Sequence, residues 1–218
     1  LCPMKSILTI AFILIATVLA AQNTHEVSIQ FGLANPQEPF NETSGIQAGG
    51  AEKGFTFGGE YNILYESNFG IGVKSGSTHN NVDYEEFSEE MSRTVSGDNH
   101  NYGYLLPGVM HRINMGPVFM DIKVNLGVVY VVLPELRISG RQSGADGDFT
   151  FGANPGAAIG YQTKDLKFFL KTGYVAFTGN FVVSSDDSGA VPQNVEQKYR
   201  NMEWLIGLAF KIPNPLGN

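Results

Sequence analysis

Met202-Glu203-Trp204-Leu205-Ile206-Gly207-Leu208-Ala209-Phe210-Lys211-Ile212 is the stretch whose reading decides the fold. Its alternate positions, Met202, Trp204, Ile206, Leu208, Phe210 and Ile212, are large and apolar, while the residues between them are mostly small or charged. A repeat of two is the signature of a strand. The apolar side carries no charge, yet the opposite side holds Glu203 and Lys211. One face suits hydrocarbon and the other suits water. A strand of a soluble sandwich also alternates, so recurrence of the pattern must decide between the two.

The pattern recurs along the whole chain. Val27–Leu33, Gly54–Tyr65, Phe69–Thr78, Pro117–Leu133, Phe149–Gln162 and Leu166–Thr178 each alternate, and Tyr199–Pro213 contains the stretch above. His100–Asn114 completes a set of eight, with its facing open because Leu105 and Leu106 are adjacent and Pro107 interrupts. Proline removes a ladder donor and is expected at an edge or a bulge. The connections alternate in length. Glu66-Ser67-Asn68, Met115-Gly116 and Lys164-Asp165 are tight turns, whereas Ala34–Lys53, Asn80–Asn99, the segment after Pro134 and Val183–Lys198 are long and polar. A soluble sandwich has no reason to sort its loops by end, but a barrel in an outer membrane does, with short turns inside and long loops outside. Aromatics near the strand ends (Phe55, Tyr65, Phe69, Tyr130, Phe149, Tyr161, Phe210) fit the two interfacial girdles of such a barrel. The reading is all-β: an eight-stranded antiparallel up-and-down transmembrane β-barrel.

Composition agrees with this. Only 16% of the 218 residues are charged and 26 are glycine. No internal run is apolar enough for a membrane helix, so any crossing must use strands. Residues 4–21 read as an export signal, with Lys5 before the apolar run Ile7–Leu19 and cleavage expected after Ala20 or Ala21. At ~1.5 Å per residue that run reaches roughly 20 Å, short of a ~30 Å hydrocarbon slab. Residues 1–21 are therefore upstream sequence and signal, and 22–218 one domain. Cys2, the one cysteine, lies before the signal, so the mature chain is expected to have no thiol, disulfide or lipid anchor. The net charge of −7 becomes −8 without Lys5 and disfavours nucleic acid. The sequon Asn41-Glu42-Thr43 is too short a pattern to be assigned a role.

The signal, the eight amphipathic strands, the glycine-rich polar face and the final strand with Trp204, Phe210, Lys211 and Ile212 resemble the small outer-membrane β-barrel family of Gram-negative bacteria. The similarity is to OmpA/OmpX-like eight-stranded barrels and to barrel domains common in Bacteroidetes, and it covers about residues 26–213. It implies a monomer in the bacterial outer membrane, in contact with lipid and lipopolysaccharide and folded by the barrel-assembly machinery. That machinery would recognise the strand of Trp204 and Phe210. Family members end on an aromatic, whereas here Lys211–Asn218 follow Phe210. The resemblance implies no cofactor.

An eight-stranded barrel has room inside for side chains and little else. The inward register gathers Glu60, Asp121 and Glu203 with Lys74, Lys123 and Lys171, three acids and three bases that are expected to pair and fill the lumen. The same groups could instead line a narrow ion path. Ser77 and His79, at the outer end of the third strand, could belong to an enzyme acting on lipid A, but no acidic partner is identifiable. The long loops suit an extracellular partner, and the acidic run Asp83–Glu90 could hold divalent cations, though without EF-hand spacing. The structural rival is a soluble exported lipocalin-like barrel, with its apolar faces turned inward around a hydrophobic ligand.

Overall fold

The computed structural model describes residues 24–42, 49–92, 94–138, 141–145, 147–185 and 193–212. The export signal, Thr43 of the sequon and the last six residues lie outside these. Eight long strands form one ring: β1 Thr24–Pro36, β2 Ala51–Leu64, β3 Phe69–Val82, β4 His100–Met115, β5 Val118–Val132, β6 Asp148–Gln162, β7 Leu166–Ser185 and β8 Gln193–Ile212. Each pairs antiparallel with its sequence neighbours, and β8 closes the ring by pairing with both β7 and β1, so that Phe210 lies opposite Leu166 on one side and Val27 on the other. No helix among the described residues is long and apolar enough to cross a membrane.

The alternation read from sequence is the alternation of facing. Ile29, Phe31, Leu33, Leu126, Leu170 and Trp204 lie outside, each 58–64% exposed, while Lys74 and Glu203 are fully buried. An exterior of this kind belongs in hydrocarbon, and the inverted facing that a lipocalin-like barrel needs is ruled out. Phe69, Tyr161, Phe168 and Phe210 ring the end with the short turns, and Phe55, Tyr130 and Phe149 ring the other. Two interior aromatics explain two glycines. A Cβ at Gly207 would run into the Phe169 ring, and one at Gly160 would meet the Phe168 carbonyl oxygen as well as the Phe119 ring at 2.8 Å. Bare backbone at these positions admits the rings of neighbouring strands.

β4 faces inward through Tyr102, Tyr104, Leu106, Met110 and Arg112, and outward through Leu105, Pro107 and Val109. Pro107 is neither at an edge nor in a bulge. The β4–β5 register is the same on both sides of it, with Leu105 opposite Val128 and Gly108 opposite Asn125. Gly127 leaves the space, since a Cβ there would approach Pro107 Cδ to 2.9 Å and press on the Leu105 carbonyl oxygen.

The long connections are more ordered than their polarity suggests. β7 and β8 continue through most of the segment read as a loop, paired as far as Val183 and Gln193. The acidic run is a helix, α1 Tyr84–Met91, whose first turn is capped by the Asp83 carboxylate accepting from the Glu86 N–H at 2.9 Å. Three short strands knit the connections together. Val95–Gly97 pairs with Leu136–Ile138, which pairs with Arg141–Ala145, which pairs with Val183–Ser185 of β7.

Candidate functional site

Three tiers of charge occupy the lower part of the lumen, counted from the short-turn end upward. In the lowest, Arg112 on β4 is held by two carboxylates, donating to Glu26 on β1 at 2.8 and 3.0 Å and to Asp121 on β5 at 2.6 and 2.7 Å. Lys167 on β7 also pairs with Glu26. In the middle tier, Glu60 on β2 accepts from Lys123 at 2.6 Å, from Lys171, and from Gln30 Nε2 at 3.3 Å. In the upper tier, Lys74 on β3 donates to Glu203 on β8 at 2.7 Å and to Asn154 at 2.9 Å, and lies 4.7 Å from the centre of the Tyr104 ring. Thr56 and Tyr104 donate to the other Glu203 oxygen, both at 3.3 Å. Every carboxylate therefore meets at least one cation, as burial in a low-dielectric interior demands.

All six charged residues singled out from the sequence lie inside, but the set is incomplete. Glu26, Arg112 and Lys167 are buried with them, so among the described residues the balance is four acids to five bases rather than three to three. Glu26 lies just before Val27, where the sequence reading begins the first strand; one further alternate position places it beside Ser28. Arg112 is missing because the facing of β4 is open in the sequence. Lys167 shares the parity of Lys171 and could be found from that alone.

Charge does not fill the whole lumen. Above Glu203 come the amides Asn80 and Asn201, the latter donating to Asn80 Oδ1 at 2.8 Å and Tyr102 Oη at 2.9 Å. Beyond them is an apolar cluster of Tyr102, Val129, Val131, Val175, Phe177 and Tyr199. Phe40, from the first long connection, plugs it, with ring centres 4.6 Å from Tyr199 and 4.9 Å from His100. His100 Nε2 bonds the Gly49 carbonyl at 2.7 Å, and the Gln37 N–H donates to the Arg200 carbonyl at 2.9 Å, fastening the plug. The outer mouth is thus closed by the chain itself.

Outside the plug, α1 packs on the knitted connections. Ser88 Oγ accepts from the Val95 N–H at 2.9 Å, and Tyr84 Oη donates to the Asp98 carbonyl. Burial, helped by the negative charge of Asp98, pushes the Tyr84 phenol up to about 12. Among the described residues no group of three His, Cys, Asp or Glu side chains is placed to hold a metal ion, the acidic helix included.

Ser77 and His79 point outward from β3. Ser77 Oγ donates to the Tyr102 carbonyl at 3.3 Å, while His79 bonds Asn101 and stacks on Phe55 at 4.8 Å. Neither meets a carboxylate among the described residues. Trp204 and Phe210 also lie outside, on the strand that closes the ring, opposite Leu33 and Val27.

No protein-family model matches the chain, and no curated protein does. Solved structures match it over most of its length. Neisserial surface protein A is 13% identical with a TM-score of 0.53, the match covering 86% of this chain and 97% of that one. A major outer membrane protein from Thermus thermophilus is 14% identical with a TM-score of 0.53, over 87% and 99%. The outer membrane protein AlkL, determined in DMPC bilayers, is 10% identical with a TM-score of 0.50, over 88% and 91%. At these identities the likeness carries the fold, the β-barrel of small outer-membrane proteins.

Proposed function

We propose that this protein is a monomer in the outer membrane of a Gram-negative bacterium, where it serves as a structural or surface-interaction protein through its extracellular end. The observation that carries this reading is the closure of the lumen. Lys74 and Glu203 are fully buried across its middle, and Phe40 is fully buried in its outer mouth. A barrel filled in this way supports what it displays, which here is α1 and the knitted connections. Membrane lipid and lipopolysaccharide surround the apolar exterior, and the strand of Trp204 and Phe210, as the closing strand, is the one offered to the barrel-assembly machinery. The extracellular partner is reached through the long connections.

The test is mobility in dodecyl sulfate, boiled against unboiled, on fractionated membranes, together with labelling of intact cells. The expected result is a heat-modifiable band in the outer-membrane fraction, with labels on the long connections reacting from outside. A protein soluble in the periplasm, with no shift on boiling, overturns the proposal. A second reading, a narrow ion path, has one observation in its favour: polar side chains follow one another from Arg112 through Glu60 and Glu203 to Asn201. Single-channel current in planar bilayers distinguishes the two.

A further inference from the structure

We infer that the lumen binds one small monovalent anion of the halide class, seated between the lowest and middle tiers of charge beside Lys123 and Lys171. The first ground is charge. The lowest tier sets Glu26 and Asp121 against Arg112 and Lys167, and the upper tier sets Glu203 against Lys74, each in balance. In the middle tier Glu60 alone faces both Lys123 and Lys171. One positive charge is left over at that level, and a buried charge without a counter-charge costs several kcal/mol. A water molecule can solvate it but cannot neutralise it.

The second ground is space. A cavity of about 20 Å³ lies among these groups, walled by the four cations Lys123, Lys171, Arg112 and Lys167 and by the three carboxylates Glu26, Glu60 and Asp121. That volume admits one water-sized body. It suits a monatomic ion and is too small for sulfate or phosphate.

The third ground is donors. Each lysine ammonium carries three N–H groups, and Lys123 and Lys171 each spend one on Glu60. The Asn62 side chain also lines the cavity. The site therefore offers an anion unspent ammonium donors and a surplus of one positive charge, four cations against three carboxylates.

The experiment is urea unfolding of the full mature chain in lipid vesicles, in sodium bromide against sodium gluconate at equal ionic strength. Binding to the folded state alone raises the folding constant tenfold for each tenfold rise in bromide above its dissociation constant. Lys171→Gln removes the surplus charge, keeps the Glu60–Lys123 pair, and should abolish this dependence. An equal response in wild type and variant is a general salt effect and overturns the inference, as does a wild type indifferent to the anion, which would mean that one lysine is neutral. If the variant does not fold, crystals of the wild type grown in sodium bromide decide. An anomalous bromine peak beside Lys123 and Lys171 supports the site, and its absence from the lumen overturns it.

Discussion

At the scale of single residues, two contacts make opposite predictions about charge and shape. Glu203 and Lys74 are both fully buried, so Glu203→Ala leaves an unpaired ammonium and should lower stability by about 3–5 kcal/mol. Replacing both residues together by Leu and Met should recover most of that loss, because well-packed apolar side chains replace buried ion pairs at little or no penalty. Urea unfolding in vesicles checks both. Gly207 makes the shape prediction. A methyl there meets the Phe169 ring, so Gly207→Ala should destabilise by about 1–3 kcal/mol, and Phe169→Leu in the same chain should relieve much of it. If the two substitutions prove simply additive, the ring does not occupy the space that glycine leaves.

At the scale of elements, sequence and structure part where backbone rather than side-chain pattern holds the chain. The barrel strands are legible because lipid and lumen impose opposite chemistries on alternate residues, and Ile122 to Val128 against Asp121 to Gly127 shows this without ambiguity. Arg112 and Glu26 escape the sequence reading at strand ends and in the segment interrupted by Pro107, where the alternation is short or broken. The knitted connections leave no such trace. Val95–Gly97 and Arg141–Ala145 pair through main-chain hydrogen bonds, and strands of three and five residues are too short to show a period. The helix does carry a legible signal, an Asp at the cap followed by glutamates in the first turn, which a reading of the run as a polar loop passes over. Asp83→Ala should cost about 1 kcal/mol of local stability. Hydrogen exchange should show faster exchange in Tyr84–Met91 and unchanged exchange in β3. The outward extension of β7 and β8 makes a further prediction. An epitope inserted between Ser185 and Gln193 should bind antibody on intact cells without altering heat-modifiable migration.

At the scale of the whole molecule, the lumen is closed twice, by ion pairs in the lower part and by aromatic packing around Phe40 above. Conductance should therefore be close to baseline in planar bilayers. Phe40→Ala alone should leave it so, because the Lys74–Glu203 tier remains. A large steady current from the unaltered protein would mean that the ion pairs rearrange readily. The closed ring also governs how this chain can change over generations. Deleting one residue within a barrel strand reverses the facing of everything beyond it up to the next turn, carrying a buried lysine or glutamate into hydrocarbon and a phenylalanine into the lumen. Adding residues to a long connection lengthens a loop in water, and doubling such a loop costs only about 0.6 kcal/mol of closure entropy. Insertions and deletions in this lineage are thereby channelled to one pole of the molecule, and the surface shown to the outside world is the part of the gene freest to vary in length.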